Sequence, residues 1–229
     1  MYQDRCALKV STDSCVFGAW LSDRLAREER HVNRCLDIGA GSGLLMLMLA
    51  QQFPGVIEGV EIDRASYEQA TENIAGSPWH NRLRLYNEDV KLFAVPHRYD
   101  FIFSNPPFYE GDLVSPNARY NLAKHQDGLT LRDLLQVTER NLSDRGAFAV
   151  LLPWQRVEYF RELAAASGLY FQHRLCMRQG VQHPCFRAAI WLTRKNSGVL
   201  KEEELLIRET ADSYSPAFTH LLKKYYLYL

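Results

Sequence analysis

The sequence has no net charge: 27 Lys and Arg are matched by 27 Asp and Glu. No global basic field announces a nucleic-acid partner, although a local patch offset elsewhere stays open. It has no CxxC pair, and its five cysteines, Cys6, Cys15, Cys35, Cys176 and Cys185, are an odd number. They read as reduced thiols of a cytoplasmic protein and not as a zinc site or a disulfide framework. No signal-peptide pattern opens the chain, and the longest apolar run, Leu44 to Ala50, is far too short to span a bilayer. There is no repeat and no low-complexity tract. The histidines His31, His80, His97, His173 and His220 have no partners at metal-ligand spacing, so they read as surface residues and no metal is expected.

What is present is a 229-residue chain, 47% hydrophobic and 24% charged, enough for one large domain. Val16, Phe17, Trp20, Leu21 and Leu25 recur at helical spacing, predicting a helix from Ser14 to Arg27 capped by Asp13 or Ser14. Beyond it, short apolar runs alternate with helical segments, as in an α/β fold with a mostly parallel, seven-stranded sheet and helices on both faces. Segments near Tyr170–Met177 and Phe186–Thr193 read as a closing antiparallel hairpin, and Glu202 to Ile207 as a further candidate strand. We expect a single domain over residues 1–229: an N-terminal segment and helix (1–33), a core (34–194) and a C-terminal extension (195–229).

Cys35-Leu36-Asp37-Ile38-Gly39-Ala40-Gly41-Ser42-Gly43, followed by Leu44 to Ala50, is a strand, a glycine turn and a buried helix. A dinucleotide fingerprint needs a third glycine at position 44, where Leu44 stands, and Asp37 would repel a pyrophosphate. That carboxylate suits an ammonium or sulfonium cation instead. Glu61 ends the next strand, about 20 residues past the glycines, where an acid takes ribose hydroxyls. Asp89 ends the third strand and is placed to accept from an adenine amine. Singly, each acid is more often a solvated loop charge; three at successive strand ends are harder to dismiss.

The fourth strand, Tyr99 to Phe103, runs into Ser104-Asn105-Pro106-Pro107-Phe108. Neither proline has an N–H to donate, so the pair stops strand pairing and stiffens the corner. The corner presents the Asn105 amide, the Pro106 carbonyl and the Phe108 ring. Two acceptors beside a flat ring can hold a planar amine, drawing its hydrogens so that the delocalised lone pair localises for attack. Alone, this would also fit an ordinary Asn-Pro-Pro turn. Residues 109–128 follow without periodicity, which reads as a substrate-facing lid carrying Arg119, Lys124 and His125.

Taken together, Asp37-x-Gly39-x-Gly41-x-Gly43, Glu61, Asp89 and Asn105-Pro106-Pro107-Phe108 resemble the class I, Rossmann-like S-adenosylmethionine-dependent methyltransferases that act on amino groups. Asp4 to Asp13, Gly18-Ala19-Trp20 and Tyr214 to Phe218 are similar to segments of the bacterial tRNA(Val) adenine-37 N6-methyltransferase family. The resemblance implies methyl transfer from S-adenosylmethionine to adenine N6 of a tRNA, in the cytoplasm, by an enzyme expected to be monomeric. It implies that Asn105, Pro106, Pro107 and Phe108 carry catalysis, and that Phe108, Arg119, Lys124 and His125 meet the substrate. It further implies that Asp37, Gly39, Ala40, Gly41, Gly43, Glu61, Ile62, Asp89, Val90 and Asn105 hold the cofactor, with Lys9, Thr12 and Asp13 over its methionine end. Phe108 stands where many relatives have tyrosine, Ser11 where glycine is usual, and Lys124-His125 where Arg-His is common. A glutamine methyltransferase acting on a release factor would use the same corner, and a non-catalytic RNA-binding fold is a third possibility. Any basic rim would draw on Arg119, Lys124, Arg187, Lys223 and Lys224.

Overall fold

The structure is a computed structural model and describes residues 1–6, 9–28, 31–107, 128–210 and 212–228. Its strands are β1 (Arg34–Ile38), β2 (Val56–Val60), β3 (Leu83–Tyr86), β4 (Tyr99–Ser104), β5 (Leu142–Pro153), β6 (Tyr170–Arg178), β7 (Cys185–Thr193) and β8 (Lys201–Leu206). The described helices are α1 (Thr12–Ala26), α2 (Leu44–Ala50), α3 (Arg64–Ala75), α4 (Leu131–Asn141), α5 (Val157–Ala166) and α6 (Pro216–Leu222). All eight strands join one sheet in the order β3-β2-β1-β4-β5-β7-β6-β8. β1 to β5 pair in parallel, β7 is antiparallel to both β5 and β6, and β8 is parallel to β6. The chain builds outward from β1 to β3, then returns to lay β4 on the other side of β1. That reversal is the switch point beside which open α/β sheets bind ligands, at the carboxyl ends of the strands.

Alternation along the strands builds two cores. Phe101 and Phe103 face α1, α2 and α6, while Ile102 faces α4 and α5. Trp191 stacks on Phe101 at 4.7 Å under the first layer. Gly18 brings α1 close to α2, since a Cβ there would lie 2.7 Å from Met48 Sδ. The α1 N-cap is Ser11, not Asp13 or Ser14. α4 opens with a capping box in which Thr130 and Asp133 satisfy each other's backbone N–H.

Three expectations are corrected. The sheet has eight strands: Lys-Glu-Glu-Glu is a poor strand former, but Arg174 meets Glu202, Arg178 meets Glu204 and Arg24 meets Glu203. Cys176 and Cys185 are joined as a disulfide with Cα atoms 5.8 Å apart, leaving Cys6, Cys15 and Cys35 as free, buried thiols. Their nine-residue separation carries no pairing signal until the β6–β7 hairpin brings the two sides together. Two histidines are structural: Arg24 Nη2 donates to His173 Nε2 at 2.6 Å, and burial followed by the Arg24 charge holds His173 down to about 4. His97 bonds a buried acid, Glu58.

Glu58 lies on β2, 1% exposed, and accepts from Tyr99 Oη at 2.7 Å, His97 Nε2 at 2.9 Å and Tyr86 Oη at 3.2 Å. Burial pushes its pKa up, but these bonds outweigh burial and hold it below the usual glutamate value. At neutral pH, Glu58→Gln should lower the unfolding free energy by about 1–3 kcal/mol, because an amide cannot accept from all three donors. The wild-type advantage should be complete above the unfolded glutamate value of about 4.3, and should disappear as pH falls through the lower folded value. Urea unfolding at a series of pH values checks this, and a difference that stayed constant with pH would remove the ionised carboxylate from the explanation.

Candidate active site

Four parallel strands end in one transverse row. Tyr86 pairs with Val60, Val60 with Ile38, and Ile38 with Ser104. The next residues along the chain, Asn87, Glu61, Gly39 and Asn105, therefore emerge side by side, and Ser104 Oγ donates to the Ile38 carbonyl at 2.7 Å to fasten the last pair. Register alone thus sets Glu61, Gly39 and Asn105 side by side, with Asn87 just past the end of β3 and Asp89 two residues further on.

At its centre, Gly39, Gly41 and Gly43 have φ of 74°, 56° and 79°, the left-handed region that side chains disfavour. Four of the turn's amides are already engaged. Gly39 and Ala40 donate to the Val60 carbonyl, Gly43 to the Ala40 carbonyl, and Gly41 to Glu61 Oε2 at 2.7 Å. Spent donors make a poor nest for a pyrophosphate, in accord with the exclusion of dinucleotides. A Cβ built on Gly39 or Gly41 would meet nothing within 4 Å, so the space over the turn is open.

Two acids flank that space. Asp37 is fully buried, and neither carboxylate oxygen has a hydrogen-bond partner among the described residues. Burial, and secondarily the nearby Glu61, push it well above the usual carboxylate range. A buried acid without donors is costly unless a cation arrives beside it. Glu61 is also buried and raised, mainly by burial, with its bonds to the Asp63 and Gly41 amides partly offsetting this. Each of its oxygens keeps further acceptor capacity for a hydroxyl. Ile62 follows, 62% exposed, an apolar surface at the mouth. Asn87 Nδ2 donates to the Glu61 and Ile62 carbonyls and holds both residues in place, a role its position in the sequence did not suggest.

Asp89 caps the turn after β3, accepting from the Lys91 amide at 2.9 Å, beside buried Val90. Asn105 Nδ2 donates to Ser14 Oγ at 2.9 Å, a contact from α1 that sequence reading missed because Ser14 reads as a helix cap. Among the described residues, none donates to Asn105 Oδ1 or to the Pro106 carbonyl. Pro106 is buried and Pro107 half-buried. Phe108, Arg119, Lys124 and His125, with the expected lid, lie outside the described residues.

The N-terminal assignments fare differently. Lys9 Nζ is held by the Gln3 and Asp4 carbonyls, and Asp13 pairs with Arg187 Nε at 2.8 Å, so both have partners of their own; Thr12 opens α1 and is exposed. The segment nevertheless crosses the glycine turn, because Asn73 Nδ2 binds both the Tyr2 and Ser42 carbonyls. Lys224 bonds Gln52, which follows α2 at the opposite end of the sheet from the rim, so Lys224 is not part of a basic rim.

Sheet order, glycine turn and Asn-Pro-Pro corner together define a Rossmann-like methyltransferase. Residues 16–149 match the family model described as methyltransferase small domain. A structure described as a predicted O-methyltransferase from Agrobacterium tumefaciens superposes with a TM-score of 0.67 over 94% of this chain and 98% of that one, at 16% identity. A TehB-like SAM-dependent methyltransferase from Corynebacterium glutamicum superposes with a TM-score of 0.53 over 78% and 88%, at 18% identity. These two likenesses show the fold. Over sequence, the chain is 39% identical to a tRNA1(Val) (adenine(37)-N6)-methyltransferase of Dyadobacter fermentans, covering 98% of this chain and 93% of the relative. It is 40% identical to the enzyme of the same name in Tolumonas auensis, over 98% and 92%. The chain belongs to the tRNA1(Val) (adenine(37)-N6)-methyltransferase family.

Glu61→Ala should release the Gly41 and Asp63 amides that its carboxylate holds. Their hydrogen exchange should accelerate roughly tenfold or more, the scale of a lost charge-assisted bond, while strand amides of β1 and β4 stay protected. Unchanged exchange at Gly41 would mean the carboxylate does not organise the turn.

Proposed function

We propose that Asn105 and Pro106 are the amine-holding groups of this tRNA adenine-37 N6-methyltransferase, working at a cofactor site built on Asp37, the glycine turn and Glu61. The activity, methyl transfer from S-adenosylmethionine to adenine N6, rests on one observation: the match to relatives of that name runs over 98% of the chain. A tRNA is the partner, and its valine-specific form is the finer reading we adopt. We infer a cytoplasmic site of action because tRNA is found there.

S-adenosylmethionine, when bound, supplies an electrophilic methyl on a positively charged sulfur. The orphaned Asp37 carboxylate and the open space over Gly39 and Gly41 fit such a cation. In our assignment Asp37 would balance positive charge, Glu61 would accept from ribose hydroxyls, Asp89 would accept from the adenine amine, and Ile62 and Val90 would lend apolar contact. Asn105 Oδ1 and the Pro106 carbonyl accept the two N–H groups of the target adenine. Both lone pairs face an amine whose own lone pair is tied up in the ring, and pulling the hydrogens toward them frees it for attack. Asn105 acts as an acceptor and removes no proton as a strong base would. The pairing of Ile38 with Ser104 supports this division, because it sets Asn105 beside the glycine turn. One continuous sheet spanning residues 34–206 supports a single catalytic domain.

The direct test is incubation with labelled S-adenosylmethionine and unmodified total tRNA, followed by nucleoside analysis: label should appear as N6-methyladenosine in valine tRNA, and label only on protein glutamine would refute the assignment. Asn105→Ala should lower kcat about 10²-fold or more with the cofactor dissociation constant little changed. An equal loss of cofactor binding would relocate Asn105 to the cofactor site. Because Asp37 attracts a cation only when ionised and its pKa is raised by burial, S-adenosylmethionine affinity should rise with pH as the solution passes through a titration lying above the ordinary carboxylate range. Asp37→Asn should bind more weakly and lose that dependence; an unaltered pH profile in titration calorimetry would exclude Asp37.

A further inference from the structure

A carboxamide is nearly symmetric in shape and opposite in chemistry at its two ends. Rotated by half a turn, Asn105 would present an NH₂ to the incoming amine, where donor would face donor. Something must select the productive orientation, and the corner's own sequence offers no candidate.

The structure offers one on α1. Ser14 is buried in the first turn of that helix, and its Oγ lies 2.9 Å from Asn105 Nδ2 and 2.8 Å from Ser11 Oγ. A serine hydroxyl has one proton and two lone pairs. Either hydroxyl of the Ser11–Ser14 pair can be the donor; when Ser14 gives its proton to Ser11 Oγ, it can only accept from Asn105. The amide then turns its NH₂ toward α1 and its Oδ1 away, and no described residue donates to that oxygen. The helix bearing Ser14 is itself anchored at this level, because neighbouring Asp13 pairs with Arg187 on β7. Gly18, one turn on, lets α1 settle against Met48 of α2. Ser14 is therefore held by the sheet and its covering helix, independently of any substrate.

We propose that Ser14 is a positioning residue that fixes the amide orientation of Asn105, with Ser11 as the acceptor for the Ser14 proton. This rests on the assignment of Asn105 as an amine-holding acceptor. In this assignment Ser14 acts through Asn105, the side chain it bonds. Its effect belongs to the methyl-transfer step, because the hydrogen bond it accepts keeps an acceptor where the transition state needs one. Removing one neutral hydrogen bond shifts such an orientational equilibrium by about tenfold.

The test combines kinetics with side-chain NMR. In Ser14→Ala, kcat on tRNA should fall about tenfold, while the S-adenosylmethionine dissociation constant and the thermal midpoint stay near wild type. Ser14→Thr, which keeps a hydroxyl, should recover most of the loss. Ser14→Ala added to Asn105→Ala should cost nothing further, because the two side chains act as one unit. In ¹⁵N-labelled protein without tRNA, the Asn105 NH₂ pair should exchange slowly in wild type and Ser14→Thr, and faster in Ser14→Ala. The inference is overturned if an active wild type and Ser14→Ala share the same kcat. It is equally overturned if the two losses multiply, or if the NH₂ pair is the same in all three proteins. A wild type that methylates no tRNA but shows the slow NH₂ pair would sink the functional assignment and leave the hydrogen bond standing.

Discussion

The shared end-line of β3, β2, β1 and β4 is the constraint on which everything else depends. Parallel strands paired without offset place their following residues in a row, so Asn87, Glu61, Gly39 and Asn105 leave the sheet together. A slip of one residue in β4 would turn the Asn-Pro-Pro corner to the other face, because side-chain direction alternates along a strand. The Ser104 hydroxyl bonded to the Ile38 carbonyl fastens the β1–β4 register just before the Asn-Pro-Pro corner.

Two buried acids within this sheet show how hydrogen-bond partners decide the direction in which burial leaves a carboxyl. Glu58 is enclosed by Tyr99, His97 and Tyr86, and their bonds keep it ionised below the usual range. Asp37, one strand away and equally buried, has no donor among the described residues, and burial drives its pKa the other way. The first is a completed network; the second has no partner among the described residues. The cost of an unpaired buried carboxylate is what makes Asp37 informative about the ligand.

The α1 helix extends the same logic beyond the sheet. It covers the first core layer with Val16, Phe17 and Leu21, and from its first turn sends Asp13 to Arg187 and Ser14 to Asn105. One element thus seals the core and reaches the Asn-Pro-Pro corner. The N-terminal strap adds to this by tying Tyr2 to Asn73 and Ser42 across the glycine turn.

Much of this was readable before any coordinates. Glycines at 39, 41 and 43, acids at strand ends and a double proline after an apolar run speak through the backbone, since glycine permits φ that other residues avoid and proline removes a donor. Those effects act over a few residues, so the strand–turn–helix opening, the acids at strand ends and the stiff corner are legible in the chain order alone. The partnership of Ser14 with Asn105, 91 residues apart, was decided only by the tertiary structure. So were the anchoring of Glu61 by Asn87, the enclosure of Glu58, the Cys176–Cys185 bond and the arginine partners of the glutamate-rich β8. Each of these joins side chains whose separation along the chain carries no record of their separation in space, so it exists only once the sheet has closed and the helices have packed.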